Sequence, residues 1–419
     1  MKRRDFLKSV GAVAAGSAVT APAIWSPAKA QARQETLLIV SESGPNNIDI
    51  HGVGTNVPGY EVSWNCYDRL ISHEMKTVNG TPYYDRDRFK MELAEDMSVG
   101  DMSATFKLKK NATFHDGSPV TANDVKWSLD RAVSVGGFPT FQMGAGSLTK
   151  REQFVVVDNH TVRVDFLKKD RLTIPDLAVI VPCILNSGLV KKHATAKDPW
   201  GLEYTKLNTA GGGAYRVVSW NAGTEVVMER FDKWAGGPQP KVRRVVWRIV
   251  PSSGNRRALI ERGDADISYD LPNKDFSELR NNPKLTIIST PYSNGIQYLG
   301  MNVTKPPFDN PKVRQAVAYA IPYQKIMDAV LFGLSKPMFG AAAGSKTEVA
   351  WPQPHKFTTD IAKAKKLMAE AGYPNGFETT LSFDLGFAGV NEPLCVLTQE
   401  SLAQIGIKCT INKIPGATW

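Results

Sequence analysis

The spacing of apolar and polar residues along the chain predicts a mixed α/β protein. A compact apolar run at Thr36–Ser41 predicts a first strand, bounded by the turn residues that follow it. Alternation over residues 105–109 predicts a half-exposed strand, and residues 154–166 predict a hairpin that turns at Asp158-Asn159. Strands and helical periods then alternate to the end of the chain, so helices are expected on the faces of mixed sheets.

Helix ends are marked by capping residues as well as by period. Thr121 as N-cap with Asp124 in the first turn predicts one helix. Asn310 as N-cap with Pro311 at the first position predicts another, and a third is predicted from Asp360. The residues that keep helical spacing in these and two further predicted helices are Tyr60, Trp64, Tyr67, Ile71, Val125, Leu129, Ala132, Val313, Ala316, Val317, Ala320, Ile321, Ile361, Ala364, Met368, Leu394, Leu397, Ser401 and Ile405.

Length and composition bound the architecture. A chain of 419 residues exceeds what one core holds, roughly 250–300 residues, so at least two lobes are expected. With 42% hydrophobic and 22% charged residues, the composition is typical of globular proteins. The charge-free apolar run near the N-terminus is shorter than the ~20 residues that span a bilayer, so the sequence does not predict an integral membrane protein.

Residues 1–30 resemble an export signal. A basic start with Arg3-Arg4 precedes a weakly hydrophobic stretch from Val10 to Ala23, and Ala28-Lys29-Ala30 predicts cleavage after Ala30. The Arg-Arg-x-Phe-Leu-Lys arrangement resembles a twin-arginine signal, although Lys2 stands where that pattern usually has Ser or Thr. The mature protein is therefore expected in the periplasm.

The charge does not favour a nucleic-acid partner. The net charge is +10, and removal of residues 1–30 takes away five basic residues and one acidic residue, which leaves +6. The most basic stretch, residues 241–248, is interleaved with β-branched residues, so we interpret it as the solvated face of a strand.

The sequence gives no positive sign of catalytic or metal chemistry. No C-x-x-C pair occurs, Cys66 and Cys183 are expected to be buried thiols, and a disulfide between Cys395 and Cys409 is left open. The six histidines lack metal-ligand spacing, and His115 precedes a turn. A strand rather than a helix follows the glycine-rich residues 208–213, so they are not expected to bind phosphate, and no cofactor is expected.

Seven segments along the chain carry a resemblance to a known family, and the most specific is the run from Phe114 through His115-Asp116-Gly117 to Val125. The others are Leu93-Ala94-Glu95-Asp96, Phe106-Lys107-Leu108-Lys109, Gly213-Ala214-Tyr215, Gly263-Asp264-Ala265-Asp266-Ile267, Pro306-Pro307-Phe308-Asp309-Asn310-Pro311-Lys312-Val313-Arg314-Gln315-Ala316 and Ala369-Glu370-Ala371-Gly372-Tyr373-Pro374. Taken in order, these segments resemble the periplasmic oligopeptide- and dipeptide-binding proteins of ABC importers, the family 5 extracellular solute-binding proteins.

The resemblance implies the two-lobed α/β fold of periplasmic binding proteins, type II or cluster C, with an extra small domain in lobe 1. It places lobe 1 at residues 31–68 and 184–292, the extra domain at 69–183, and an incomplete lobe 2 at 293–419. Members of the family continue past the point equivalent to Trp419, so the C-terminal part is expected to be missing. In peptide-binding members that part carries the Asp that pairs with the α-ammonium group of the ligand.

The resemblance also implies the function: a monomeric, non-enzymatic receptor that captures short peptides between its lobes and delivers them to an ABC permease in the inner membrane. A nickel chelate, a glutathione-like peptide, an opine or an oligosaccharide remains open as ligand. A secreted hydrolase, and a periplasmic chaperone or signalling receptor, remain open as alternatives from other classes. The expected ligand-binding residues, by local matching, are Gly54, Thr55, Asn56, Phe138, Phe141, Tyr269, Leu271, Tyr292, Asn294, Gly295, Phe383 and Phe387.

Overall fold

The computed structural model describes residues 33, 35–78, 80–269, 271–288, 296–335, 339–341, 353–354 and 357–414. The expected export signal and the expected site residues Tyr292, Asn294 and Gly295 lie outside these ranges. Within the described residues, no helix has the length and apolar character that crossing a membrane requires.

The described chain alternates between strands and helices. The strands are β1 (Thr36–Ser41), β2 (Ile71–Val78), β3 (Thr81–Met91), β4 (Ala94–Val99), β5 (Ser103–Leu108), β6 (Phe154–Asp158), β7 (Thr161–Asp165), β8 (Tyr215–Asn221), β9 (Glu225–Arg230), β10 (Arg244–Ile249), β11 (Ile267–Ser268), β12 (Phe339–Ala341), β13 (Gln353–Pro354), β14 (Phe377–Asp384) and β15 (Ile407–Ile414). The α-helices are α1 (Val57–Cys66), α2 (Ala122–Ala132), α3 (Gly137–Ala145), α4 (Thr173–Leu177), α5 (Ser187–Lys191), α6 (Leu202–Thr205), α7 (Ser253–Arg262), α8 (Asn273–Leu279), α9 (Pro311–Ala320), α10 (Tyr323–Ala329), α11 (Ile361–Glu370) and α12 (Ala388–Ala403). Short 3₁₀ turns cover Arg151–Gln153 and Leu385–Phe387.

The largest sheet is mixed and has the strand order β11-β1-β10-β9-β8. Its strand β1 runs parallel to both β10 and β11, whereas β9 is antiparallel to its two neighbours. A second sheet, β4-β5-β7-β6, is antiparallel throughout, and β2 and β3 form a separate antiparallel hairpin. In the last part of the chain β14 and β15 pair in parallel.

The buried apolar residues fall into separate clusters along the chain. One cluster lies within residues 70–184 and packs α2 against the β4-β5-β7-β6 sheet. A second takes residues from 39–67 and from 183–247, around the large mixed sheet. Three further clusters lie between residues 299 and 411. They contain residues of the helices from α9 through α12 and of the strands β14 and β15.

The chain leaves the large-sheet cluster after residue 67 and returns to it at residue 183, and these two ends lie side by side. Arg69 and Cys183 face each other in an isolated antiparallel bridge. The N–H of Ile184 donates to the carbonyl oxygen of Asp68 at 2.8 Å. Trp234, on a loop after β9, donates its indole N–H to both carboxylate oxygens of Asp68, at 2.9 and 3.0 Å. Both ends of the segment are therefore fixed against the large-sheet lobe.

Local capping signals explain where the predicted helices begin. The Asp124 carboxylate accepts from the N–H and the hydroxyl of Thr121, at 3.0 and 2.7 Å, so α2 starts where the sequence predicts. Asn310 caps α9 with Pro311 at its first position, and Asp360 caps α11. These three predicted helix starts are confirmed.

Two predicted helices have different bounds in the structure. The first ends at Cys66, and Ile71 belongs to β2, because the chain turns into extended backbone at Tyr67. The last begins at Ala388, earlier than its apolar spacing indicated, and it includes Pro393. The predicted hairpin of β6 and β7 and the final strand β15 are confirmed.

The glycine-rich loop is a packing element. A Cβ on Gly211 would lie 2.0 Å from the carbonyl oxygen of Cys66, so the loop approaches the end of α1 more closely than any side chain allows. The N–H of Gly213 donates to that carbonyl oxygen, and the carbonyl oxygen of Gly213 accepts from the ring of His115. The predicted strand after the loop is β8, which confirms that no helix stands behind it.

The cysteines are free thiols. Cys66 and Cys183 are buried, as predicted. Cys395 on α12 and Cys409 on β15 lie in the same apolar cluster without a disulfide, so the pairing left open by the sequence is not made in this structure. Packing a helix on a strand does not by itself bring two Cα atoms to the spacing of about 4.4–6.8 Å that a disulfide needs.

Candidate functional site

The expected site residues Gly54 and Thr55 belong to a tight turn. The N–H of Thr55 donates to the carbonyl oxygen of Gly52 at 3.3 Å, and Gly54 at the third position has a φ of +77°. A positive φ there is the signature of a type II turn and explains the glycine. Within the described residues, the N–H groups of Val53 and Gly54 have no acceptor, and Val53 is 60% exposed. The turn therefore presents two backbone donors to the outside.

Thr55 and Asn56 hold this turn in shape. The hydroxyl of Thr55 is buried and lies 2.9 Å from the side-chain oxygen of Asn47 and 2.8 Å from the carbonyl oxygen of Gly52. Asn56 caps α1 by accepting from the N–H of Gly59, and it exchanges backbone-to-side-chain hydrogen bonds with Asn46 at 3.1 and 3.2 Å. Both side chains are thus used within the protein.

A buried ion pair lies beneath the turn. Arg131 donates to both carboxylate oxygens of Asp49, at 2.9 and 2.6 Å, and the hydroxyl of Thr205 lies 2.6 Å from one of them. Burial alone would raise the pKa of the Asp49 carboxyl, but the charge and hydrogen bonds of Arg131 outweigh it and hold that pKa below its usual value. The carbonyl oxygen of Asp49 accepts from Gly52, so the pair anchors the turn.

Beside the turn, α3 carries two exposed aromatic residues. Phe138 is 43% exposed and Phe141 is 76% exposed, whereas Met143 on the opposite face is buried. The ring of Phe138 meets the ring of Tyr60 on α1 edge to face, with centroids 5.5 Å apart. A Cβ on Gly137 would lie 3.0 Å from the side chain of Val53, so the turn and the helix are in contact. We call Val53, Tyr60, Phe138 and Phe141 the aromatic shelf.

Tyr269 lies at a second place, past the carboxyl end of β11. Its N–H donates to the carbonyl oxygen of Val40 at 2.9 Å, and its ring lies 5.7 Å from that of Trp247 on β10. The Trp247 indole N–H donates to the hydroxyl of Ser41 at 2.6 Å. Ligands of open α/β sheets bind outside the carboxyl ends of parallel strands, which is where this half-exposed tyrosine stands.

Two expected site residues are core residues instead. Leu271 is buried, and Phe383 on β14 is buried in the cluster that contains Leu381 and Cys395. The period-2 alternation of β14 turns Phe383 inward, which corrects the expectation for its side chain. Phe387, just before α12, is 58% exposed.

Sequence reasoning missed Val53 and Tyr60 as members of the shelf. The helical spacing of Tyr60 was visible, but its contact with Phe138 joins two segments that are distant in the chain. The sequence signal for this contact is the pair Gly136-Gly137. Both glycines have positive φ, and this backbone conformation lets the chain enter α3 next to the turn.

A buried cysteine and histidine resemble parts of a catalytic triad but are chemically inert. The Cys183 sulfur lies 3.9 Å from the Nε2 of His51, which is also 2.7 Å from the carbonyl oxygen of Val181. Burial raises the pKa of the Cys183 thiol well above its usual value and lowers the pKa of His51 to about 4. A thiolate nucleophile therefore does not form here near neutral pH. In the described part of the chain, no group of three or more His, Cys, Asp or Glu residues is placed to hold a metal ion.

Residues 88–419 match the family described as bacterial extracellular solute-binding proteins, family 5 middle. This match covers most of the chain, so the chain belongs to that family. The family resemblance read from the sequence is confirmed.

Curated relatives agree with this assignment. The chain is 33% identical over 318 residues to the glutathione-binding protein GsiB of Pectobacterium atrosepticum, which is 76% of this chain and 59% of the relative. It is 32% identical over 331 residues to the GsiB of Salmonella typhimurium, covering 78% and 62%. The chain thus spans about three fifths of the length of these relatives.

Solved structures confirm the expected fold class. DppA from Helicobacter pylori in complex with the peptide STSA superposes with a TM-score of 0.75 at 21% identity, over 91% of this chain and 75% of that chain. The binding protein AgaA of A. tumefaciens R10 in complex with agropinic acid gives a TM-score of 0.72 at 26% identity, over 91% and 73%. The fold is that of a periplasmic binding protein.

Proposed function

We propose that this protein is the periplasmic substrate-binding component of an ABC importer, which captures a short peptide between two lobes and delivers it to permease subunits in the inner membrane. The observation that carries the proposal is the 33% identity with a glutathione-binding protein, because glutathione is itself a tripeptide. The lobe limits expected from the sequence, residues 31–68 with 184–292 and residues 293–419, belong to the same proposal.

The ligand is proposed to touch the turn at Gly54, the aromatic shelf and Tyr269, with Phe387 contributed by the second lobe. The exposed N–H groups of Val53 and Gly54 suit a peptide carbonyl oxygen, in the manner of strand addition. Thr55 and Asn56 act by shaping the turn. Tyr292, Asn294 and Gly295 remain expected contacts from a segment outside the described residues.

Binding is proposed to close the lobes by hinge motion, as in other two-lobed receptors. Only contacts made in the closed state can drive this closure, because a ligand that binds open and closed forms equally shifts nothing. The protein performs no bond-making or bond-breaking in this scheme and works as a monomer without a cofactor. The inert environment of the buried Cys183 and His51 supports this over a hydrolase built on those residues.

An opine is the second candidate ligand, favoured by the 26% identity with AgaA in its agropinic acid complex. Mass spectrometry of the small molecules released from the protein, purified at its full natural length from its own periplasm, separates the candidates. Short peptides, glutathione included, would support the proposal. Recovery of an opine, a metal chelate or a sugar would replace the peptide as the proposed ligand. Recovery of hydrolysed products alone would favour an enzyme.

Export through a twin-arginine signal is a separate part of the proposal. Replacing Arg3 and Arg4 with Lys should leave the protein in the cytoplasm with its signal uncleaved, whereas the wild-type periplasmic protein should begin at Gln31. Cell fractionation and N-terminal sequencing measure both results. Periplasmic recovery of the double Lys variant at wild-type levels would exclude the twin-arginine route.

A further inference from the structure

The aromatic shelf is a contiguous apolar surface. Phe141 is 76% exposed, Val53 60% and Phe138 43%, on two segments that contact each other through Gly137 and Tyr60. Single exposed apolar residues are ordinary on protein surfaces, but adjoining ones mark places where something binds. The exposed backbone donors of Val53 and Gly54 stand at the edge of this surface.

Helix α3 is held by hydrogen bonds at both ends, which fix the direction of the face that carries Phe138 and Phe141. At its start the N–H of Gly136 donates to the hydroxyl of Thr140, at 2.9 Å. At its end the buried carboxylate of Asp176 accepts from Gln142 at 2.5 Å and from the N–H of Gly146 at 3.1 Å. Burial raises the pKa of Asp176 to about 6, and these two donors compensate its charge in part.

The four shelf residues carry no charge, and their single side-chain polar group points away from the outer surface. The Tyr60 hydroxyl is buried and has no hydrogen-bond partner among the described residues. Burial, with a smaller contribution from Asp49, raises its pKa to about 12, so it stays neutral. A carboxylate placed against these four residues would lose water and gain no cation from them, whereas an uncharged bulky side chain would lose only apolar contact with water.

We propose that the shelf selects short peptides that carry a large apolar side chain, aromatic or branched aliphatic, over anionic peptides such as glutathione. The turn binds the peptide backbone at Val53 and Gly54, and the shelf receives the side chain that follows. This inference rests on the proposed function and names the substrate class of that site. It also departs from the ligand in the name of the curated relatives, since glutathione has two carboxylates and no bulky apolar group.

Matched tripeptides test the proposal by isothermal titration calorimetry on the protein at its full natural length. Ala-Phe-Ala should bind about tenfold to a hundredfold more tightly than Ala-Ala-Ala, as expected for burying one large apolar side chain. Ala-Glu-Ala and glutathione should bind no better than Ala-Ala-Ala.

The variant Phe141→Ala should lower the affinity for Ala-Phe-Ala about tenfold more than it lowers the affinity for Ala-Ala-Ala. Tyr84→Ala, which removes a 51% exposed aromatic residue on the β2-β3 hairpin, is the matched control and should change neither affinity. Phe138→Ala tests the same surface at a second residue.

Two results would overturn the inference while the proposed function stands. They are equal affinity for Ala-Phe-Ala and Ala-Ala-Ala, and tight glutathione binding that Phe141→Ala does not change. Failure of every peptide and of glutathione to bind would overturn the proposed function, and the shelf inference with it.

Discussion

The buried pair of Arg131 and Asp49 allows a quantitative test of how the turn is held. Both side chains are buried, at 0% and 1% exposed, and they share two hydrogen bonds at 2.9 and 2.6 Å. The substitution Arg131→Met keeps most of the side-chain volume but removes the cation. Among the described residues, the Asp49 carboxylate would then keep the Thr205 hydroxyl and the backbone N–H of His51 as its donors.

Removal of one partner of a buried ion pair costs about 3–5 kcal/mol, because the other charge is left uncompensated. The cost should depend on pH. In the wild type the pKa of Asp49 is lowered, so its stabilising contribution is present above the ordinary Asp pKa and is lost as pH falls through the lowered value. In the variant burial dominates and the carboxyl takes up a proton more easily, so the deficit should shrink between pH 7 and pH 4.

Urea unfolding followed by tryptophan fluorescence measures the loss as a shift of the midpoint at pH 7. The control is Arg163→Met, which removes one partner of a solvent-exposed ion pair to Asp165 and should shift the unfolding midpoint much less than Arg131→Met does. The double variant Asp49→Asn with Arg131→Met should recover part of the loss. If Arg131→Met and Arg163→Met shift the midpoint equally, the buried pair does not hold this region.

The remaining predictions concern three other sites. Burial raises the pKa of Asp68 to about 7, so the protonated carboxyl stabilises the fold fully below pH 4, and this stabilisation is lost as the pH rises through 7. The free energy of unfolding should therefore decline by on the order of 2–4 kcal/mol from pH 4 to pH 8. Asp68→Asn should remove this decline in unfolding curves measured over that range. Gly211→Ala should prevent folding because its Cβ would meet a backbone carbonyl at 2.0 Å, whereas Gly254→Ala, with its nearest neighbour at 3.9 Å, should fold normally by circular dichroism. Thiol alkylation of the native protein should label Cys409 first, since it is the one cysteine that is not fully buried, and a mass 2 Da below four free thiols would contradict the free state.

The parts of the fold that could be predicted are those that local chemistry decides. Thr121 with Asp124, and Asn310 with Pro311, satisfy helix ends within four residues of chain, so their effect is readable from sequence. The end of the first helix at Cys66 could not be read in this way, because the close approach of the glycine-rich loop, from far along the chain, decides it.

The candidate site could be predicted only in part, for a related reason. Local matching singles out Gly54 and Phe138 as expected contacts, but the network that fixes the turn joins Asp49 to Arg131 and Thr205 over long sequence separations. The exposure of aromatic residues could not be predicted from sequence either. Phe383 and Phe141 are the same residue type, yet Phe383 is 3% exposed and Phe141 is 76% exposed. Burial of an aromatic residue depends on which face of its element the rest of the fold covers.

The bridge between Arg69 and Cys183 is where the segment between them enters and leaves the rest of the fold. Its entry and exit stand side by side, at the spacing of two paired strands, roughly 5 Å between Cα atoms. A short linker could therefore bridge the two ends, but excision of the whole segment would also remove Arg131 and leave the buried Asp49 carboxylate without its cation. By the same geometry, this junction is a place where a foreign domain, such as a fluorescent reporter, could be inserted with its two ends held side by side.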